Sequence, residues 1–322
     1  MGVYRGLLFA LIGGIASAIL SIGPFGSAPL LAIGLALGSP LAGISAGTAA
    51  LLVLLNFHSI GTLFYTVTTG LPALLVIRLA LISQPGATPN TRDWYPVGQI
   101  LAAFALYGVF ALVVVAIFIA MMGSSLETVS RSYLTEFFAQ LMAQSEVNFR
   151  SDADKELVKS VFDVTTNQLA PLLVGYLIAV YLLVVIGIAA ITQRILGRGG
   201  LSLRPALPYI TLELPRWLIA AFAVAVIIAI LPGTIGVLGR NAVLILSIPF
   251  LLLGLTVIHT LSRRTPNPKM VLAAIYFALF LFVVLVNISL PVLALLVLLG
   301  IAEQWFSLRK RFSAPGANQE DE

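Results

Sequence analysis

The sequence predicts an all-α fold, a polytopic transmembrane helical bundle of about ten membrane segments. Three observations carry the prediction. Ten apolar stretches lie between residues 6 and 306; 60% of the residues are hydrophobic against 10% charged; and the basic side chains gather in alternate gaps. Mean hydropathy is +1.06, beyond the range of ordinary soluble domains. A hydrocarbon core of roughly 30 Å needs about 20 apolar residues per helix, and a helix satisfies its own backbone hydrogen bonds.

The first stretch, 6–22, begins after Arg5 and contains Ala16-Ser17-Ala18, which resembles a cleavage site. A single basic residue precedes it and the apolar run continues through Ile22, so a retained first helix is expected. Ala10, Gly14 and Ala18 repeat every four residues and form a small-residue face suited to close helix contact, with a partner as one candidate. Segment 27–38 is short, about 18 Å of helix, and follows the helix-breaking run Gly23-Pro24-Phe25-Gly26-Ser27-Ala28-Pro29. That run reads either as a cavity wall or re-entrant element, or as a tight hairpin before a tilted helix. Gly34, Gly38, Gly43 and Gly47 predict close packing between this segment and the next, 41–56.

Asn56 and His58 mark a turn, after which 59–82 carries Tyr65, Thr66, Thr68 and Thr69 before Gly70-Leu71-Pro72. Threonines at a kink commonly satisfy freed carbonyls. The same patch, with Asn56 and His58, is also the first candidate for a substrate pocket wall. Arg78 can snorkel from near the end of the segment. Trp94-Tyr95-Pro96 anchors the start of 97–122, as Pro215-Arg216-Trp217 does for 216–238. The excursion 123–167 reads as two amphipathic helices. One is capped by Ser124-Ser125-Leu126-Glu127, with Leu126, Tyr133, Phe137, Phe138 and Leu141 among its apolar residues; the other starts at Ser151-Asp152 and carries Phe162. Segments 168–192, 216–238 and 242–261 follow, with Arg240 in the gap between the last two and His259 near an inner end. Segments 270–286 and 291–306 are separated at Asn287-Ile288-Ser289-Leu290-Pro291.

The gaps at 193–215 and 262–269 hold Arg194, Arg198, Arg204, Arg263, Arg264 and Lys269, and the tail holds Arg309, Lys310 and Arg311. The rule that short cytoplasmic loops are basic places these inside. Arg5, Arg78 and Arg92 then also fall inside. The 123–167 excursion, with seven acidic against four basic residues, falls outside. Both termini are expected in the cytoplasm of a bacterium, the chain lying in its inner membrane.

Several chemistries are excluded. The chain has no cysteine, so no disulfide, thiolate metal site or cysteine nucleophile. His58 and His259 are its two histidines, too few for a histidine cage. No His-Glu-x-x-His pattern, phosphate loop or nucleophile with a base is present. No acid lies in the middle of a proposed span; Glu213 and Glu303 sit at inner ends. An enzyme, a carboxylate-coupled pump, a cofactor and a bound metal are therefore not expected. The net charge of +5 sits beside apolar segments and points to lipid, not nucleic acid.

The residues Gly13-Gly14, Ala16-Ser17-Ala18, Gly23-Pro24, Pro29-Leu30, the glycines from Gly34 to Gly47, Gly70-Leu71-Pro72 and Glu213-Leu214-Pro215-Arg216-Trp217 resemble the YybS-like family of bacterial integral membrane proteins. That family is in turn similar to the S components of energy-coupling-factor transporters. The resemblance implies an S-component-like six-helix unit over 1–192, with 123–167 as an outer excursion. A four-segment unit at 193–306 and a polar cytoplasmic tail at 307–322 follow. It also implies that the Ala10, Gly14 and Ala18 face docks on a transmembrane coupling protein. The expected function is a non-catalytic substrate-binding or transport-related component with an unidentified small-molecule ligand. The alternative is a membrane scaffold or regulatory partner protein.

Overall fold

The structure, a computed structural model, describes residues 3–21, 23–86, 91–144, 152–205, 211–263, 265–284 and 286–311. Among the described residues the fold is all-α, apart from one two-stranded hairpin. Its helices are α1 (Val3–Ile19), α2 (Ser27–Leu37), α3 (Ser39–Tyr65), α4 (Leu71–Ala80), α5 (Val97–Met121), α6 (Leu126–Gln144), α7 (Asp152–Leu169), α8 (Leu173–Arg198), α9 (Trp217–Ile230), α10 (Gly233–Ser262), α11 (Pro268–Val284), α12 (Val286–Phe306) and α13 (Leu308–Arg311). Among the described residues, four stretches are long and apolar enough to cross a membrane: Ser39–Ala80, Val97–Met121, Leu173–Arg198 and Gly233–Ser262. The chain forms two compact units. One comprises Met1–Phe104, Val184–Ile219 and Ser247–Glu322; the other comprises Ala105–Leu183 and Ala220–Leu246.

In the first unit, glycine geometry sets the path of the chain. Gly23 (φ 81°) and Gly38 (φ 104°) bracket α2, both in conformations that favour glycine. Between Gly23 and α2 the Gly-Pro run forms a single 3-10 turn, Pro24–Gly26, with Ser27 Oγ donating to the Pro24 carbonyl at 2.6 Å. The 11 residues of α2 make about 16 Å of helix, less than the roughly 30 Å of a hydrocarbon core. Leu30 and Leu31 are nonetheless fully buried.

The 42-residue stretch 39–80 is not one rod. His58 adopts φ 60° and ψ −171°, and Tyr65 packs beside Ala49 and Val53. Sixteen residues of straight helix would separate Ala49 from Tyr65 by about 24 Å, so the chain reverses at His58. The turn expected at Asn56 and His58 is therefore present. The left-handed φ of a non-glycine residue there is locally strained.

Small residues act differently from the expected pattern. A Cβ on Gly43 or Gly47 would meet open space. The close approach instead joins α1 to α3: a Cβ on Gly14 would lie 2.6 Å from the Ser45 carbonyl, and one on Gly13 2.9 Å from Ser45 Oγ. Gly34 makes its closest approach to Ile77 of α4. Elsewhere in this unit Gly254 and Gly300 bring α10 and α12 together, each without room for a Cβ against the other helix's backbone.

In the second unit, Ser125 caps α6, its Oγ accepting the Thr128 amide at 3.2 Å, one residue beyond the Ser124 cap read from sequence. Phe138 stacks on Phe162 of α7 with ring centroids 4.4 Å apart, and Arg131 hydrogen-bonds Asn167. Ser151, the expected cap of α7, lies outside the described residues. Asn241, 1% exposed, donates to the carbonyls of Pro171 and Val237 and accepts the Gly175 amide at 2.6 Å. It thereby satisfies an orphan amide at the start of α8.

Three boundaries need correction. The span expected from residue 168 is interrupted at Pro171, where α7 ends and α8 begins. The turn expected around Arg240 lies at Leu231-Pro232-Gly233, with Gly233 at φ 68°, and Arg240 is an exposed residue of α10 near its start. Proline and glycine break the helix there, while the long Arg240 stem can reach an interface. Finally, α12 runs through Asn287–Pro291. Proline removes one ladder donor without ending the helix.

Gly14→Ala should lower stability by about 2 kcal/mol because the methyl must displace the α3 backbone. Gly43→Ala, on an open face, should change it by less than about 0.5 kcal/mol. Thermal unfolding of the two variants in the same detergent checks the contrast.

Candidate functional site

The sequence-predicted polar residues lie in the first unit. Tyr65, Thr66, Thr68 and Thr69 fall where the helix widens to a π-turn, Thr66–Gly70, a form that leaves carbonyls poorly matched to the α ladder. Thr66 Oγ1 donates to the Thr62 carbonyl at 2.7 Å and Thr68 Oγ1 to that of Phe64 at 2.8 Å. Thr69 is fully buried, its methyl side close to Gly26. Tyr65 OH lies 2.7 Å from Ser17 Oγ, which itself donates to the Gly26 carbonyl at 2.7 Å. Because the serine has one proton, Tyr65 is the donor of the first bond. The order Tyr65 → Ser17 → Gly26 ties the π-turn to α1 and to the break before α2. Asn56 and His58 are exposed at the reversal, and the Asn56 amide donates to the Leu52 carbonyl. Ala10 and Gly14 are buried, facing α3 at Gly14, and Ala18 packs beside the Ala49, Val53 and Tyr65 cluster.

A cavity of about 650 Å³ lies elsewhere in the same unit. Its walls come from the end of α4 (Val76, Ala80), the first turns of α5 (Val97 to Phe104), the last turns of α8 (Ile186 to Arg194) and Leu35 of α2. Gln193, Arg194 and Arg204 supply its polar edge. The loop after α8 builds that edge. Leu203 N donates to the Leu35 carbonyl at 2.9 Å, and Gln193 Nε2 holds Ser202 Oγ and the Arg204 carbonyl. The Arg204 guanidinium, 4% exposed, donates to the Ala80 carbonyl at 3.1 Å and to that of Tyr95 at 2.9 Å. It lies 5.9 Å from the centroid of the Trp94 ring. Tyr95 ends a hairpin, Ser83–Pro85 paired antiparallel with Arg92–Trp94, that connects α4 to α5. One cation thus satisfies the last residue of α4 and the entry to α5, and its charge faces the negative end of α4. Burial pulls its pKa down from the ordinary arginine value.

A second, polar cavity of about 470 Å³ lies between the α9 entry and the end of α12. Glu303 pairs with Arg309 at 2.7 Å, Arg309 donates to the Leu212 carbonyl, and Gln304 donates to those of Leu214 and Pro215. The Glu213-Leu214-Pro215-Arg216-Trp217 run is thereby anchored by the C-terminal helix. Its backbone also presses on α5, where a Cβ on Gly98 would lie 1.8 Å from the Glu213 carbonyl.

A family model described as predicted membrane protein (DUF2232) matches residues 6–302. The chain belongs to that family. No curated protein and no solved structure matches it.

Sequence reasoning read Arg204 in this DUF2232 member only as a topology charge, and Gln193 not at all. The partners of Arg204 lie 124 and 109 residues away, and no local spacing announces them. The signal available was an arginine and two aromatics flanking the same membrane end.

Arg204→Leu should remove about 2–3 kcal/mol of stability, because two carbonyls lose a charged donor. Arg204→Lys should recover part of this, having no planar fork to reach both. Unfolding midpoints of the three proteins test the order.

Proposed function

We propose that the chain is a non-catalytic substrate-binding or transport-related membrane component whose ligand enters the cavity bounded by α2, α4, α5 and α8. The observation that supports this reading is the cavity itself. Its volume falls in the range of about 300–1,000 Å³ typical of small-molecule sites. Its wall is apolar, narrowed by no bulky residue at Ala80, Ala189 and Ala190, with polar groups confined to one edge. That lining contains neither a carboxylate nor a nucleophile, so it favours holding a molecule over transforming one. The threonine turn is read as structural, the Thr66 and Thr68 hydroxyls being engaged by carbonyls.

In this reading the chain makes ten membrane segments in a bacterial inner membrane, with both termini cytoplasmic and residues 1–192 forming an S-component-like unit. The cavity then sits at the cytoplasmic end, since Arg78, Arg92, Arg194 and Arg204 all lie at the ends or connections of the segments that build it. Reporter fusions at residues 145 and 265 should read periplasmic and cytoplasmic; the opposite pattern would overturn the orientation. For the cavity, protein purified from membranes should carry a small molecule detectable by mass spectrometry after extraction, lost from Ala189→Phe. Equal retention by the variant would exclude this cavity as the binding site.

The second reading, a scaffold or regulatory partner, draws on one observation. Val129, Tyr133, Phe137 and Leu141 form an exposed apolar stripe along α6. A photocrosslinker at Phe137 that labels protein in membranes would favour it, and labelling of lipid alone would count against it.

A further inference from the structure

The cavity combines an apolar wall with a buried cation that has no anionic partner among the described residues. Among the described residues the ion pairs are Arg131–Glu127 and Arg309–Glu303, and neither involves Arg204. A guanidinium offers five N–H donors. The structure gives Arg204 two acceptors, both neutral carbonyls. A buried charge is costly unless it is paired. Carbonyls offset part of that cost, and an anion held at the cavity edge would offset more. Arg194, exposed on the same edge, adds a second cation, and no carboxylate lines the cavity to compete with an incoming anion.

We propose that the ligand is an anionic amphiphile, with its chain among Val76, Ile100, Phe104 and Ile186 and its phosphate or carboxylate head at Arg204 and Arg194. This rests on the binding reading above and adds the chemical class. Arginine suits either head group, because its fork matches the oxygens of both. The apolar wall continues directly from the cationic edge, so one molecule would meet both surfaces in the order in which a lipid-like molecule presents them.

The test uses the full chain in phosphatidylcholine nanodiscs. It is titrated with chain-brominated oleate, lysophosphatidylglycerol and lysophosphatidylcholine, and binding is followed by quenching of tryptophan fluorescence. The anionic ligands should bind about ten-fold or more tightly than lysophosphatidylcholine, as a charged hydrogen bond implies. Preference for lysophosphatidylglycerol would assign a lipid phosphate head, and preference for oleate a fatty-acid carboxylate; either supports the class. Arg194→Gln should lessen the preference for the anionic ligands several-fold. Arg194 serves here because Arg204 also holds the backbone together. Ala189→Phe, or Ala189→Leu if the larger residue prevents folding, should weaken all three ligands. Equal affinity for anionic and zwitterionic ligands, both sensitive to Ala189, would overturn the head-group inference and leave the cavity reading standing. Binding insensitive to Ala189 would overturn both.

Discussion

A backbone group freed from its helix inside an apolar medium must find a partner within the protein, because no water is there to supply one. Much of this fold answers that requirement. Helices break before α2, at the π-turn, at Pro171, at the end of α4 and before α9. At each break a side chain contributes a hydrogen bond: Ser17 at Gly26, the threonines at Thr62 and Phe64, Asn241 at Pro171 and Gly175, Arg204 at Ala80, and Gln304 at Leu214. Three of these five, through Asn241, Arg204 and Gln304, rely on residues distant in sequence. The bonds that permit a break therefore also tie separate helices together.

The same requirement explains where the glycines are needed. A side chain reaching another helix's backbone demands close approach, and Gly175 beside Asn241 and Gly26 beside Ser17 and Thr69 leave no room for more. Gly14, Gly254 and Gly300 extend the pattern to contacts with neighbouring backbone. Gly43 and Gly47, at the same four-residue spacing in sequence, face open space. Spacing alone cannot separate the two cases, because it specifies a helix face and not what lies opposite.

This marks the limit of what the sequence made legible. Long apolar runs identified α5 and α8 and most of α10, since their length and composition answer to the bilayer directly. The reversal at His58 was readable because polar residues interrupt an apolar run. Arg240 misled for the opposite reason: a charge resembled a loop, while the real break was signalled by Pro232 and Gly233. The apolar faces of α6 and α7 were visible in the spacing of Phe138 and Phe162, but not that these two rings meet. The candidate site was not visible. Its wall is assembled from Leu35, Val76, Phe104 and Ile186, ordinary apolar residues on four helices, and its cation is placed by carbonyls more than a hundred residues away.

The architecture bears on function through this division of labour. Of the polar residues that sequence reading favoured for a pocket, Thr66 and Thr68 are occupied with backbone at the π-turn and Tyr65 with Ser17. The open volume lies instead at one end of α4, α5 and α8, where a structural arginine also presents charge to an apolar chamber. Structure and candidate site thus share Arg204, and replacing that residue would also loosen the backbone it holds. The claim beneath all of this is that long-range side-chain bonds hold the membrane breaks. A double-mutant cycle between Ser17→Ala and Tyr65→Phe, read by reversible unfolding in micelles, tests it most directly. The account predicts a coupling energy of about 0.6–1.7 kcal/mol, the range found for hydrogen bonds between membrane helices. Strictly additive losses would contradict it.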